Sequence, residues 1–434
     1  MKYYLIGIKG AGMSTLACIL YDLGNEVSGY DDTITYKFTE EGLVKRGIKI
    51  YNTNEHSLDK DTIVSYSEAF SKDHKEILRV KELGLYIKSY HEILGDLTKM
   101  FSSICVAGTH GKTTTSLLIS HILINTIGCN YFVGDGSGFA NKDNKLFVIE
   151  SCEFNKHFLA YHPDTTIITN IELEHVECYN GIEDIINTFS TLANKSTNKI
   201  IACGDDLNVQ KMIVNKKIVY YGFNENNNVV AKNIELNENG NKFDVFYDNQ
   251  LLGNFYLPSY GKHMILNALA AIIVCLDNNI SIEDIKKHMQ TFQGAKRRFK
   301  ETIIGNRVII DDYAHHPTEV SVTLDAARQK YPNKTIIGLL KPNTYTRTRA
   351  LYKDFAKALN KADHAFVTDI YCDREKKEDY PSITSDLIIN LLNNGEHIGL
   401  DSIDKLLQYD NSVVCFMSCK DINSLKDAYI NLIK

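Results

Sequence analysis

The chain has no long apolar run, no excess of positive charge and no paired cysteine pattern, and each absence removes a class of function. Its longest apolar run, Ala268 to Leu276, is too short to span a bilayer. The start, Met1-Lys2-Tyr3-Tyr4, leads straight into a strand and shows none of the parts of a secretion signal. These two readings predict a cytoplasmic chain with no membrane partner. The formal net charge is −6, so nothing points to nucleic acid, and a polyphosphate would have to be held by local groups. The ten cysteines are scattered without zinc-type spacing, as expected for reduced thiols in a cytosolic protein. No internal repeat at a solenoid period is present. What remains is a 434-residue chain of ordinary globular make-up, 44% hydrophobic and 24% charged, long enough for two to four domains of roughly 100–200 residues.

Strand and helix signals alternate in three blocks, which predicts an α/β protein of three domains, each built on a mainly parallel sheet. The expected boundaries are 1–98, 99–295 and 296–434. In the first block an apolar strand, Tyr3–Ile6, precedes a glycine-rich turn and a helix from Met13 to Leu23. A second strand over Glu26–Gly29 ends at Asp31. In the second block the strands are Ser103–Ala107, Leu146–Ile149 and Thr166–Thr169, with helices over Thr113–Asn125 and Gly261–Leu276. Asparagine-rich stretches at 224–228 and 237–241 read as turns. In the third block Val308–Ile310, Thr335–Leu340, Ala365–Ile370 and Val413–Met417 read as strands. Pro317 opens a helix, and Leu351, Phe355 and Leu359 share one face of another.

Val106-Ala107-Gly108-Thr109-His110-Gly111-Lys112-Thr113 carries the strongest chemical signal. It follows a buried strand and opens a helix, as a phosphate-binding loop must. Glycines let backbone N–H groups converge on phosphate oxygens, and the helix start adds about half a positive charge. Gly108, Thr109, His110, Gly111, Lys112, Thr113 and Thr114 are therefore predicted to bind ATP. Lys112 would reach the β and γ phosphates, and the Thr113 hydroxyl would ligate Mg²⁺, with Mn²⁺ as an alternative. The loop departs from the usual pattern because Val106 stands at its first glycine position.

Ligands of open parallel sheets sit beyond the carboxyl ends of the strands. That rule singles out Glu150 as a metal ligand and His175, after the next strand, as a ligand of a second divalent ion or a positioner of the reacting group. It also singles out the edge carrying Asp311-Asp312-Tyr313-Ala314-His315-His316-Pro317 and Lys341 to Arg349. Arginine suits carboxylates and phosphates through paired hydrogen bonds. Arg347 is assigned to carboxylate binding, Arg298 to the nucleotide, and His316 to proton acceptance. This edge is expected to face the phosphate loop across a cleft that closes over the reactants. Near the amino terminus, Gly7-Ile8-Lys9-Gly10-Ala11-Gly12 has GxxGxG spacing, with Asp31 where a ribose-binding carboxylate would sit. By itself this suits a nucleoside diphosphate or NAD equally, so an NAD-dependent oxidoreductase stays open at this point, though it leaves the second loop unexplained.

Taken together, these motifs resemble the Mur ligase family from end to end. The resemblance rests on Gly7 to Ser14, Ala107 to Thr113, Glu150-Ser151-Cys152-Glu153, His157-Phe158-Leu159, Thr169-Asn170-Ile171, Gly261-Lys262-His263 through Asn267-Ala268, Lys296 to Phe299, Asp311 to Glu319, and Thr344 to Thr348. It implies an N-terminal Rossmann-like domain for a UDP-sugar, a central phosphate-loop ATPase and a C-terminal Rossmann-like domain. It implies that Gly10, Ala11, Gly12, Met13, Ser14 and Asp31 serve the nucleotide sugar, and that His263, Asn267, Arg298 and Asp312 serve the adenine nucleotide. It further implies that Asp312, His315, His316 and Arg347 line the ATP and amino-acid side. Within the family, the implied reaction joins L-alanine to UDP-N-acetylmuramate at the expense of ATP, in peptidoglycan precursor synthesis, by a monomer or weak homodimer. Attachment of a preformed tripeptide to the same nucleotide sugar is the neighbouring alternative, and a regulatory ATPase that has lost ligation is a further one. Asn343 and Lys341 stand where the family usually has His and Gln. Ser190 stands where sister ligases carry a carbamoylated lysine, so no such modification is expected.

Overall fold

The structure is a computed structural model, and it describes residues 1–175, 178–372 and 375–434. Three sheets form along the chain. The first contains β1 (Lys2–Ile6), β2 (Glu26–Tyr30), β3 (Lys49–Tyr51), β4 (Thr62–Tyr66) and β5 (Tyr86–Ile87), in the order β3-β2-β1-β4-β5 and all parallel. The strand order reverses at β1, so the glycine loop after β1 lies at a topological switch point, where doubly wound sheets take ligands.

The second sheet has ten strands: β6 (Ser102–Ala107), β7 (Asn130–Phe132), β8 (Gly138–Phe139), β9 (Leu146–Glu150), β10 (Thr165–Ile168), β11 (Lys199–Cys203), β12 (Ile218–Gly222), β13 (Val229–Asn237), β14 (Gly240–Tyr247) and β15 (Gln250–Leu257). Their order is β15-β14-β13-β12-β11-β10-β6-β9-β7-β8. β6 pairs in parallel with both β9 and β10, which places the ends of all three at one edge. The sequence pattern shows β6, β9 and β10 but not the meander β13–β15. Those strands are joined by two-residue turns, and their alternation of buried and exposed residues marks a one-sided ribbon.

The third sheet contains β16 (Lys300–Ile304), β17 (Arg307–Asp312), β18 (Thr335–Leu340), β19 (His364–Val367), β20 (Gly395–His397) and β21 (Ser412–Met417), in the order β16-β17-β21-β18-β19-β20. It is parallel except for the edge pair β16–β17. The architecture is thus α/β with three domains, each on a mainly parallel sheet.

By compactness the chain falls into two units: residues 1–232, 245–253 and 266–292, and residues 233–244, 254–265 and 293–434. In the first unit one apolar cluster runs from Leu5 and Leu16 beside the first sheet to Cys105, Ile149 and Phe189 beside the second. In the second unit the third sheet is covered on both faces, by Leu324, Phe355 and Leu359 on one and by Leu406, Leu425 and Tyr429 on the other. Among the described residues no helix is long and apolar enough to cross a membrane.

Candidate active site

In the first unit, the buried strand β6 delivers the chain into Gly108–Gly111, and a helix follows over Lys112–Ile124. Two glycines are required here by backbone shape. Gly108 has φ +145° and a Cβ would lie 1.9 Å from Thr169 Oγ1, while Gly111 has φ +81° and a Cβ would lie 2.9 Å from Asn267 Oδ1. The loop is pinned from below by β10. Thr109 N–H donates to the Asn170 carbonyl (3.0 Å), His110 N–H donates to Asn170 Oδ1 (2.8 Å), and Thr169 Oγ1 donates to the His110 carbonyl (2.6 Å). The helix start has no side-chain cap hydrogen bond, so its first N–H groups retain their donor capacity.

Lys112 Nζ donates to the carbonyls of Gly108 (2.5 Å) and Thr109 (3.0 Å) and pairs with Glu153 Oε2 at 2.9 Å. Burial acts to lower its pKa, but the Coulomb attraction of Glu153, followed by Cys152 and Glu150, outweighs burial and raises it overall. The ammonium is therefore a fixed positive charge inside the loop. Thr113 Oγ1 stands 3.0 Å from both Glu150 carboxylate oxygens, and Glu150 Oε2 also accepts the Gly134 N–H at 2.8 Å. A hydroxyl and a carboxylate converging at a helix start are hard oxygen donors, so these residues fit Mg²⁺.

Glu153 is the residue that sequence reasoning left unassigned. It is buried, and its Oε1 lies 3.7 Å from His175 Nε2, so one carboxylate stands between the loop lysine and the histidine after β10. Its carbonyl accepts the Lys156 N–H (2.9 Å) and the Tyr179 hydroxyl. His175 itself takes φ +52°, a conformation uncommon outside glycine that concentrates at functional sites. A second buried carboxylate three residues past a strand end was the available signal.

The first glycine loop also lies in this unit. Gly10 and Ala11 are exposed at the start of helix Ala11–Asp22 and Gly12 is half-buried, while Met13 and Ser14 are buried beneath them. Asp31 is buried, with Oδ2 accepting the Lys9 N–H and Oδ1 the Thr33 N–H, both at 3.0 Å. It shapes the loop from within. A Cβ at Gly12 would lie 2.6 Å from the Tyr90 hydroxyl, so that glycine is required by packing.

In the second unit, Asp312 ends β17 and is buried. Its Oδ2 accepts the Phe299 N–H and its Oδ1 the Ala314 N–H, each at 2.8 Å. Burial raises its pKa, although Arg298 pulls the other way. Arg298 Nη1 meets Glu319 Oε1 at 3.2 Å and its guanidinium lies over the Tyr313 ring at 5.1 Å. Glu319 Oε2 accepts the His315 N–H (3.0 Å) and stands 3.0 Å from His315 Nδ1. His316 caps helix Pro317–Lys330, and its Nδ1 accepts the Thr318 N–H at 3.4 Å. His263, at the start of helix Lys262–Asp277, is pushed down to about 4 by burial and then by Arg298, and its buried Nδ1 lacks a hydrogen-bond partner among the described residues. Asn267, one turn further along that helix, belongs to the first unit and lies against Gly111 there. Arg347 is in the first turn of helix Tyr345–Leu359, and its N–H donates to Thr344 Oγ1 at 3.3 Å. Thr344 takes φ +66°, an outlier for a β-branched residue, directly before the helix.

Three family models match in series: the Mur ligase family catalytic domain at residues 2–102, the Mur ligase middle domain at 106–275 and the Mur ligase glutamate ligase domain at 297–417. The chain belongs to the Mur ligase family. Its structure is similar to that of UDP-N-acetylmuramate-alanine ligase from Thermotoga maritima, at 25% identity and a TM-score of 0.81, over 100% of this chain and 99% of that one. It shares its fold with a murein peptide ligase from Psychrobacter arcticus (21% identity, TM-score 0.68, 100% and 98% of the two chains). It also shares it with a MurF ligase from Thermotoga maritima in complex with ADP (15% identity, TM-score 0.65, 94% and 95%).

As a Mur ligase, this chain is an ATP-dependent ligase of peptidoglycan precursors, and its departures from the family pattern can be located. Lys341 Nζ donates to the Asp421 carbonyl (2.6 Å) and lies 4.9 Å from the centre of the Tyr371 ring. Asn343 is buried with Nδ2 unpaired among the described residues. Ser190 is buried within helix Ile182–Lys195, where Oγ donates to the Ile186 carbonyl and accepts the Ile213 N–H.

Proposed function

We propose that this Mur ligase joins L-alanine to the lactyl carboxylate of UDP-N-acetylmuramate, converting ATP to ADP and phosphate. The observation that carries the reading is the phosphate loop with Lys112 buried in it and Thr113 and Glu150 converging at the helix start. Segment 1–98 takes the nucleotide sugar at Gly10–Gly12, segment 99–295 takes ATP, and segment 296–434 supplies groups for the nucleotide and the amino acid.

A carboxylate is a poor acylating agent because its leaving group would be oxide. Attack of one carboxylate oxygen on the γ phosphorus breaks the bond to the β,γ-bridging oxygen and forms an acyl phosphate. The alanine nitrogen then attacks the carbonyl carbon, His316 accepts the proton that leaves the nitrogen, and phosphate departs with the former carboxylate oxygen. The chain's part is alignment and charge stabilisation. Lys112 neutralises phosphoryl oxygens. Glu153 holds Lys112 and His175 in register, and His175 positions the acyl phosphate. Thr113 and Glu150 would hold Mg²⁺, which when bound supplies further positive charge to the phosphoryl group. Arg298, His263, Asn267 and Asp312 serve the adenine nucleotide, and Arg347 binds the amino-acid carboxylate as a paired-hydrogen-bond donor.

The test is ADP release with UDP-N-acetylmuramate and one amine at a time. Turnover with free L-alanine supports the proposal. Turnover with a preformed tripeptide and none with alanine would replace it with the peptide-recycling reaction.

A further inference from the structure

Away from the phosphate loop, three metal-ligating side chains from three separate elements meet within the first unit. Glu68 is in the loop after β4, His91 in the first turn of helix Tyr90–Met100, and His157 in the short 3-10 segment Phe154–Ala160. One ligand atom from each lies within 4.8 Å of the other two. The two imidazoles stack with centroids 3.6 Å apart and planes at 18°, and His157 Nε2 is 3.1 Å from Glu68 Oε1. The Nδ1 of His91 is buried and has no hydrogen-bond partner among the described residues. Buried polar atoms are nearly always paired, so this one asks for an explanation.

The backbone supplies a second observation. Asn155 and Lys156, immediately before His157, take φ +49° and +59° in succession, although neither is glycine. Such strain persists where the surroundings over-determine it, and it clusters at ligand-holding positions.

We propose that Glu68, His91 and His157 form a binding site for a divalent transition-metal ion, best matched by Zn²⁺. Two imidazole nitrogens and one carboxylate oxygen suit Zn²⁺, whereas Mg²⁺ and Ca²⁺ prefer oxygen throughout. A metal lies in the plane of each ring that binds it, so one ring must tilt out of the stack when the ion enters. The bond His157 releases in doing so is to Glu68, which becomes the third ligand. The Glu68 side chain is 62% exposed, so water can reach the fourth position. The ion would tie the loop after β4 and the helix start at Tyr90 to the segment that follows Glu153. It is distinct from the oxygen donors Thr113 and Glu150.

The test is titration of the full chain with Zn²⁺ by calorimetry in excess Mg²⁺, with Co²⁺ absorption as a second readout. The expected result is one site per chain and an intense tetrahedral-type Co²⁺ spectrum. Both should be lost in His91→Ala and in the milder His157→Asn, and the site should be weakened about tenfold in Glu68→Gln, with His175→Ala unaffected. Thermal melting in EDTA establishes that each variant is folded, and parent and His157→Asn should melt alike there while only the parent gains stability from Zn²⁺. Absence of Zn²⁺ binding by the parent would overturn the proposal. So would binding that survives in folded His157→Asn or is lost in His175→Ala.

Discussion

The Glu153 carboxylate lies 2.9 Å from the Lys112 ammonium, and its other oxygen lies 3.7 Å from His175 Nε2. This buried group is the largest of the charges that raise the Lys112 pKa against the effect of burial. In Glu153→Gln that support is lost, and the alkaline limb of the kcat/KM profile should move to lower pH. The sign follows from the raised lysine pKa, whose stabilisation is full below the ordinary lysine value and is lost as pH rises through the folded one. Turnover should fall by roughly 10²-fold, about 2.7 kcal/mol of transition-state stabilisation. An unchanged alkaline limb would contradict the role of Glu153. Lys112→Ala should abolish ligation with the fold intact.

Thr113 and Glu150 make a narrower prediction. Thr113→Val removes one oxygen donor and leaves the helix, so the Mg²⁺ concentration giving half-maximal activity should rise by about 10-fold or more. A magnesium titration of ADP release measures it. An unaltered requirement would place the metal elsewhere.

Gly12 and Tyr90 are coupled by contact rather than by backbone conformation, since a Cβ at Gly12 would lie 2.6 Å from the Tyr90 hydroxyl and 3.3 Å from the ring carbon that bears it. Gly12→Ala should raise KM for the nucleotide sugar. Adding Tyr90→Phe should recover much of the loss, because the remaining ring contact needs only a small shift. The coupling is read from a double-mutant cycle, where contacting residues typically show about 0.5–3 kcal/mol.

His263 predicts acid sensitivity. An unfolded imidazole takes its proton near 6.5, whereas in the folded chain burial delays this to about 4. The stabilisation is complete above the unfolded value and is lost as pH falls through the folded one, with the decline beginning near 6.5. The effect is about 1–3 kcal/mol. Melting temperature in EDTA between neutral and mildly acidic pH should fall less steeply in His263→Gln than in the parent.

The phosphate loop was legible because its chemistry is local. A buried strand, two glycines and a lysine at a helix start are adjacent in sequence, and β6, the helix after it, β9 and β10 all form where the apolar pattern places them. Pro317 likewise opens its helix. The meander β13–β15 was missed because one solvated face dilutes its apolar signal, leaving only its asparagine turns visible. Glu153 was missed because its value depends on distance in space: nothing in the order of residues shows that the chain turns at Asn155 and Lys156 to hold it between Lys112 and His175. Asp31 was placed beside the glycine loop by spacing, and its oxygens accept the N–H groups of Lys9 and Thr33 there.

The most direct measurement follows an oxygen atom. UDP-N-acetylmuramate labelled with ¹⁸O in its lactyl carboxylate is turned over with ATP, magnesium and L-alanine, and the released phosphate is analysed by mass. The account predicts one ¹⁸O in each phosphate, and phosphate release that requires both the nucleotide sugar and the amine. Phosphate free of label, or ATP hydrolysis that proceeds without the muramate, would contradict it.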